Sequence, residues 1–146
     1  MKTFTGAELL ALPVRLHGIQ LGRAAEVLLD RETMRAVGLD VLCGDDVHRF
    51  LPLPTALVAD EEIVIRSPLV LLEEDELDFY RSRTLQLSSL RGRAVEHRGR
   101  HSGTFVDAVI AADGELRSVI VDVNGKRTDL AYDRAVGIAP KRRSAA

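Results

Sequence analysis

The 146 residues, 16.0 kDa, suffice for one ordinary domain or two very small ones. Hydrophobic residues make up 46% and charged residues 29%, which excludes a disordered chain, while 4% aromatics and no Trp leave an aliphatic core and no base-stacking platform. Twenty Lys and Arg against 22 Asp and Glu disfavour a generally basic nucleic-acid binder, so no DNA partner is expected, and the single Cys43 excludes an intramolecular disulfide or a cysteine metal cluster.

The first strand signal in chain order is the apolar run 24–29. Asp30-Arg31-Glu32-Thr33 follows as a turn. Residues 36–43 then alternate, with Val37, Leu39, Val41 and Cys43 on one side and Ala36, Gly38, Asp40 and Leu42 on the other. Period two over such a run predicts a strand with one face buried. Gly44-Asp45-Asp46 reads as a second turn, and 48–53 as a third strand. The segment 73–83 places its acids first and its arginines last, which suits the dipole of a short helix. Strand signals resume at 104–111 and at 118–123, where Val119, Val121 and Val123 alternate with Ser118, Ile120 and Asp122. Asp113-Gly114 and Asn124-Gly125 are strong hairpin turns, because Gly accepts positive φ cheaply. Residues 126–132 supply a last strand.

The two series of strands match. At a shift of 81, Leu9 meets Leu90, Val14 meets Val95, Gly22 meets Gly103 and Glu26 meets Asp107. At a shift of 82, with an extra residue allowed in the first turn, Arg35 meets Arg117, Val37 meets Val119, Asp40 meets Asp122 and Val41 meets Val123. At a shift of 79, Leu51 meets Leu130, Ala56 meets Ala135 and Leu57 meets Val136. Matches in collinear order predict a duplication. Halves of about 60–70 residues are marginal alone, so the copies are expected to bury apolar surface against each other; a homodimer is the other way to do so.

Several stretches carry a resemblance. Leu12-Pro13-Val14, Leu21-Gly22-Arg23-Ala24-Ala25-Glu26-Val27-Leu28-Leu29-Asp30, Arg35-Ala36-Val37-Gly38-Leu39-Asp40-Val41 and Phe50-Leu51-Pro52-Leu53 resemble the PRC-barrel domain. Leu90-Arg91-Gly92-Arg93-Ala94-Val95, Gly103 to Ile110, Arg117 to Val123 and Leu130 to Ala135 look like a second copy, with Ala131 where the family usually has Pro. The resemblance implies an all-β fold of two tandem PRC-barrel-like β-barrels related by internal pseudo-symmetry: residues 1–72, a connector at 73–87, residues 88–140 and a basic tail at 141–146. It implies docking on a larger assembly rather than catalysis, by analogy only. Family members include the cytoplasmic part of the photosynthetic reaction-centre H subunit and the C-terminal domain of a ribosome maturation factor.

The residues offer little chemistry. His97 and His101 have a metal-binding spacing, but they fall in a Gly-containing turn among arginines. Asp40 and Asp122 fall on the strand face opposite the valines, expected to be the wetter one. Gly22 and Gly103 read as single turn glycines, and Cys43 as a core thiol. No nucleophile motif or cofactor fingerprint stands out, so no catalytic, cofactor or metal residue is assigned and the chain is read as a non-enzyme. Between residues 81 and 101 lie six arginines and one acid, Glu96. Residues 1–72 hold seven basic and ten acidic groups, and residues 79–146 thirteen and seven. The candidate partner-binding residues are therefore Arg91, Arg93, Arg98 and Arg100 of the basic cluster, with Glu74, Asp75, Phe79 and Tyr80 of the connector.

The expectation is a cytoplasmic adaptor without cofactor, since the N-terminal residues lead into no signal-peptide core and no apolar run is long enough to span a bilayer. Its partner would be another protein or complex, membrane-associated complexes included, or a second copy of the chain. The alternative is an RNA- or ribosome-associated factor using the basic second half. A small ligand in the groove between the copies is a third reading.

Overall fold

A computed structural model describes residues 2–140; the basic tail at 141–146 lies outside the described residues. Strand β1 (Thr3–Thr5) leads into the short helix α1 (Gly6–Leu10), capped by the Thr5 hydroxyl and the Glu8 carboxylate in a reciprocal box. The hairpin β2 (Pro13–Leu16) and β3 (Ile19–Asp30) follows, then β4 (Ala36–Cys43) and β5 (His48–Pro52). A small hairpin, β6 (Leu57–Val58) and β7 (Ile63–Ile65), closes the first copy. Helix α2 (Glu74–Arg83) carries Glu74, Asp75 and Glu76 in its first turn and Arg81 and Arg83 in its last, as the charge order predicts. The second copy runs through β8 (Thr84–Gln86), a 3-10 turn (Leu87–Leu90), β9 (Ala94–His97), β10 (Arg100–Ala111), β11 (Leu116–Val123), β12 (Lys126–Ala131) and β13 (Val136–Ile138). The protein is all-β, with two curled sheets joined by a helix: β5-β4-β3-β2-β7-β6 with β8 on β3, and β12-β11-β10-β9-β13 with β1 on β10. Among the described residues no helix is long and apolar enough to cross a membrane.

The copies agree down to their irregularities. The β3–β4 ladder breaks register between Ala24 and Glu26 and again between Leu28 and Leu29. The β10–β11 ladder breaks between Phe105 and Asp107 and between Val109 and Ile110, each 81 residues on. Both leading hairpins turn on a two-residue loop with positive φ: His17 and Gly18, then Arg98 and Gly99, the mirror-image turn that a right-twisted hairpin prefers. Gly22 and Gly103 lie within strands rather than in turns. A Cβ at Gly22 would stand 2.6 Å from the Leu42 carbonyl oxygen, and one at Gly103 2.7 Å from that of Asp122. Close approach of the neighbouring strand, and φ +131° at Gly103, explain the residue.

One alignment is corrected. Leu29 pairs with Ala36 and Ile110 with Leu116, so the shift past the first turn is 80, not 82. The extra residue sits in the first copy, and an insertion there shortens the shift. Asp40 is therefore matched by Ile120, and Asp122 by Leu42. The shift of 79 holds for the third strands, since Leu39 pairs with Leu51 and Val119 with Leu130, but not beyond them: Val136 lies beside His97 as Ile65 lies beside Leu16, so the matches of Ala56 with Ala135 and Leu57 with Val136 fail.

The leading strands are exchanged. β1 pairs not with its own copy but with the end of β10, Thr3 to Thr5 against Ala111 to Val109. β8 pairs reciprocally with the end of β3, Thr84 to Gln86 against Asp30 to Leu28. Each long strand thus holds its own copy's second strand and the other copy's first along one edge. One core results. Phe4, Val14, Leu39, Val41 and Leu51 belong to the same buried cluster as Leu87, Leu90, Val95, Phe105, Ile110, Val119 and Val121.

The outer face of the first sheet carries a second, small cluster. Leu77 of α2 is buried against Leu28 and Phe50, with Val37, Leu72 and Tyr80 packed around them. The bulge between Leu28 and Leu29 turns Val37 outward to this cluster and Ala36 inward, reversing their expected sides. Asp40 is on the outer face as expected, but α2 covers it and leaves it only 4% exposed. Across the pseudo-symmetry Asp129 stands in place of Phe50, and that face needs no helix. Val123, expected inside, lies exposed at the end of β11.

Candidate functional site

The bulges aim two buried carboxylates across the boundary between copies. Asp107 accepts from the Gly6 and Ala7 N–H groups, both at 3.1 Å, and from the Ala108 N–H at 2.8 Å. Its counterpart Glu26 accepts from the Ser88 and Val27 N–H groups, both at 3.1 Å, and from the Ser88 hydroxyl. Each carboxylate caps the turn that follows the exchanged strand. With their lone pairs committed to backbone donors, these groups fasten the fold. Asp40 is similarly engaged, by His48 Nδ1 at 2.7 Å and Arg81 Nη2 at 2.5 Å, and so ties α2 to the first sheet. Every buried side-chain N or O among the described residues has a partner, and no group of three His, Cys, Asp or Glu among them is arranged to hold a metal ion.

Among the described residues, two clefts stand out on the surface. One, about 650 Å³, lies beside α2 between Leu21, Cys43, Pro68, Leu69, Leu71 and Leu72, with Glu73 and Glu76 on its rim. Asp45 and Arg49 form a bidentate pair there at 3.0 and 2.8 Å, and the guanidinium holds the Asp45 carboxyl down at about 2. The other, about 870 Å³, runs between the two copies. Its floor is Leu85, Leu90, Leu116, Tyr132, Val136 and Ile138, and its rim carries Arg31, Arg35, Arg93 and Arg134 with Glu32, Glu115 and Asp133. Burial raises the Tyr132 phenol above its ordinary value, with the neighbouring Asp133 charge adding to the effect.

The groove between the copies exists because their closing segments differ. In the first copy β7 lies parallel to β2, with Ile63 beside Val14 and Ile65 beside Leu16, and β6 covers its far side. In the second copy β13 takes the place of β7: Ile138 stands beside Val95 and Val136 beside His97, although the strand runs the other way. Among the described residues no strand pairs with the far edge of β13, where β6 would be. Ile63 and Ile65 are 0% and 1% exposed, whereas Ile138 and Val136 are only half-buried.

The candidate partner residues are dispersed. Arg93 lies in the groove, its Nε donating to the Ser89 carbonyl at 2.9 Å. Arg91 precedes it in the turn before β9, while Arg98 and Arg100 flank Gly99 at the other end, so the cluster is split across a strand about 13 Å long. Glu74 and Asp75 are exposed in the first turn of α2. Tyr80 is stacked on Phe50, ring centroids 4.1 Å apart. Phe79 is half-exposed, with the Arg83 guanidinium 3.7 Å above its ring. Arg31, Arg35, Arg134, Tyr132, Val136 and Ile138 were not marked as site residues in the sequence; the sign of them was the first copy's long tail after its third strand, which the second copy lacks. No protein-family model matches the chain, and a search of curated proteins likewise finds no match.

Proposed function

We propose that the chain is a non-catalytic interaction module of the PRC-barrel type, an adaptor that docks on a larger protein complex. The observation that carries this reading is the asymmetry of the closing segments. A place that the first copy fills with its own β6 is open in the second, and the apolar floor there is walled by charged side chains. Such a floor with a polar rim is the anatomy of a protein-binding surface. The buried carboxylates support the same reading, because their oxygens are engaged by backbone N–H groups and the Ser88 hydroxyl and fasten one copy to the other. The sequence resemblance, with its docking rather than catalytic associations, points the same way by analogy.

The test is capture with the immobilised full chain from an extract of its host, followed by reconstitution with the identified partner. The expected result is a stoichiometric protein complex that survives 0.5 M salt, a condition that weakens a contact dominated by six or more phosphates by roughly 10³-fold or more. Retention of RNA alone, lost on raising the salt, would replace this reading with a nucleic-acid one. So would turnover of a substrate by the purified chain, abolished by one polar substitution, in favour of an enzyme.

A further inference from the structure

We infer that the partner contributes one extended segment, which adds to the free edge of β13 in the place β6 holds in the first copy. This rests on the interaction reading above and goes further by naming the mode of binding and the chemistry of what binds.

The backbone supplies the first argument. The Ala135 carbonyl accepts from the Arg98 N–H at 3.0 Å, and the Ala139 N–H donates to the Ala94 carbonyl at 2.9 Å, both toward β9. By the alternation of an antiparallel ladder, the Ile138 N–H and C=O and the Val136 C=O face the other way. Among the described residues no strand pairs with that side. It is the kind of edge to which an extended peptide adds as a further strand.

The opposite edge of the same sheet differs. β12 carries Lys126, Arg127 and Asp129, charges of the sort that guard an edge against pairing. β13 reads Val136, Gly137, Ile138 and carries none. The first copy shows what suits the position, since in β6 Val58 pairs with Ile63 and is buried with it in the core, whereas Leu57, paired with Val64, points to solvent at 64% exposure.

Charge selects the occupant further. Arg35 is engaged by the Asp113 carbonyl at 3.0 Å and Arg93 by Ser89. Asp133 accepts from His97 at 3.2 Å, and Glu115 sits 3.7 Å from Arg117. That leaves Arg31, Arg93 and Arg134 on the rim with no ion pair among the described residues, Arg93 being hydrogen-bonded only to Ser89, against one such carboxylate, Glu32. The segment is therefore a strand with alternate Val, Ile or Leu over the floor and an Asp or Glu meeting the arginines.

The probe is a phage-displayed random heptapeptide library selected on the full chain, with enriched peptides then synthesised. The expected consensus alternates aliphatic residues and includes an acid. Bound peptide should shift amide resonances of residues 131–139 and 31–35. Ile138→Pro removes the outward donor while leaving the bonds to β9, and should weaken binding about tenfold with the melting temperature nearly kept. The double variant Arg31→Glu, Arg134→Glu should turn the preference from acidic to basic peptides, and stands as an independent check if the proline variant folds poorly.

Enrichment of nothing, peptides that map to the cleft at Leu69, or binding indifferent to both variants would overturn strand addition while leaving the adaptor reading intact. A dimer of the chain itself that Ile138→Pro dissolves would also overturn it, with a second copy as the occupant. Salt-labile RNA retention without any protein partner would remove the adaptor reading and this inference together.

Discussion

Asp107 accepts three backbone N–H groups, two of them about a hundred residues away in the chain. Removing it strands donors that burial keeps from water, each at about 1–3 kcal/mol. Asp107→Ala should therefore lower the unfolding free energy by about 2–4 kcal/mol in a urea titration, and Asp107→Asn by less, since its carbonyl oxygen still accepts. Gly6→Ala should harm the same contact, because a Cβ there would collide with the Asp107 carboxylate and Leu87. A repeat alignment pairs Glu26 with Asp107, but their task is not written nearby: beyond the N–H of the next residue, their donors come from the other copy, 62 and 101 residues away. Acid provides a second test. Asp45 is held at about 2 by Arg49, and Asp30, Asp113 and Asp133 are held below their ordinary 3.8 by the Thr33 N–H, the Glu115 N–H and His97 respectively. Carboxyls with lowered folded-state pKa give stability that is whole above about pH 4 and lost as pH falls through the folded values. The midpoint of urea unfolding should thus be flat from neutral pH to about 4 and drop between 4 and 2.

Helix α2 shows how far an element can be read from its own residues. Its acidic start and basic end predict a helix, and one is present over Glu74–Arg83. Its berth was hidden. Period two separates the two faces of β4 but does not say which face another element will cover, so Asp40 looked wet and is buried under Arg81. The same period explains the misplaced alignment: shifts of 80 and 82 keep every side chain on its face, and only the residue count of the turn separates them. Leu77→Ala should cost about 2–5 kcal/mol as a core truncation. Arg81→Ala should cost about 2 kcal/mol, less than a fully buried pair, because Arg81 is partly exposed and His48 still engages Asp40. Hydrogen exchange should then show residues 74–83 opening ahead of the sheets.

At the scale of the molecule, the duplication and its strand order were legible because alternation and turn residues are local. A groove between the copies was expected, but its lining was not legible, since it arises from what the second copy lacks, and the basic cluster that stood out in the sequence is divided between the two ends of β9. The exchange of β1 and β8 was also invisible, because either copy could have received either strand. It is the claim on which the single core, the carboxylate caps and the groove all depend. A shared core predicts one cooperative transition, with Cys43 thiol reactivity in the first copy and the Tyr132 near-ultraviolet signal in the second giving one denaturant midpoint. The most direct measurement is the set of interstrand backbone NOEs of the full chain. Contacts from Thr3–Thr5 to residues 109–111 and from Thr84–Gln86 to residues 28–30 are expected. Contacts from Thr3–Thr5 to 28–30 and from Thr84–Gln86 to 109–111 would show two self-contained barrels and contradict the exchange.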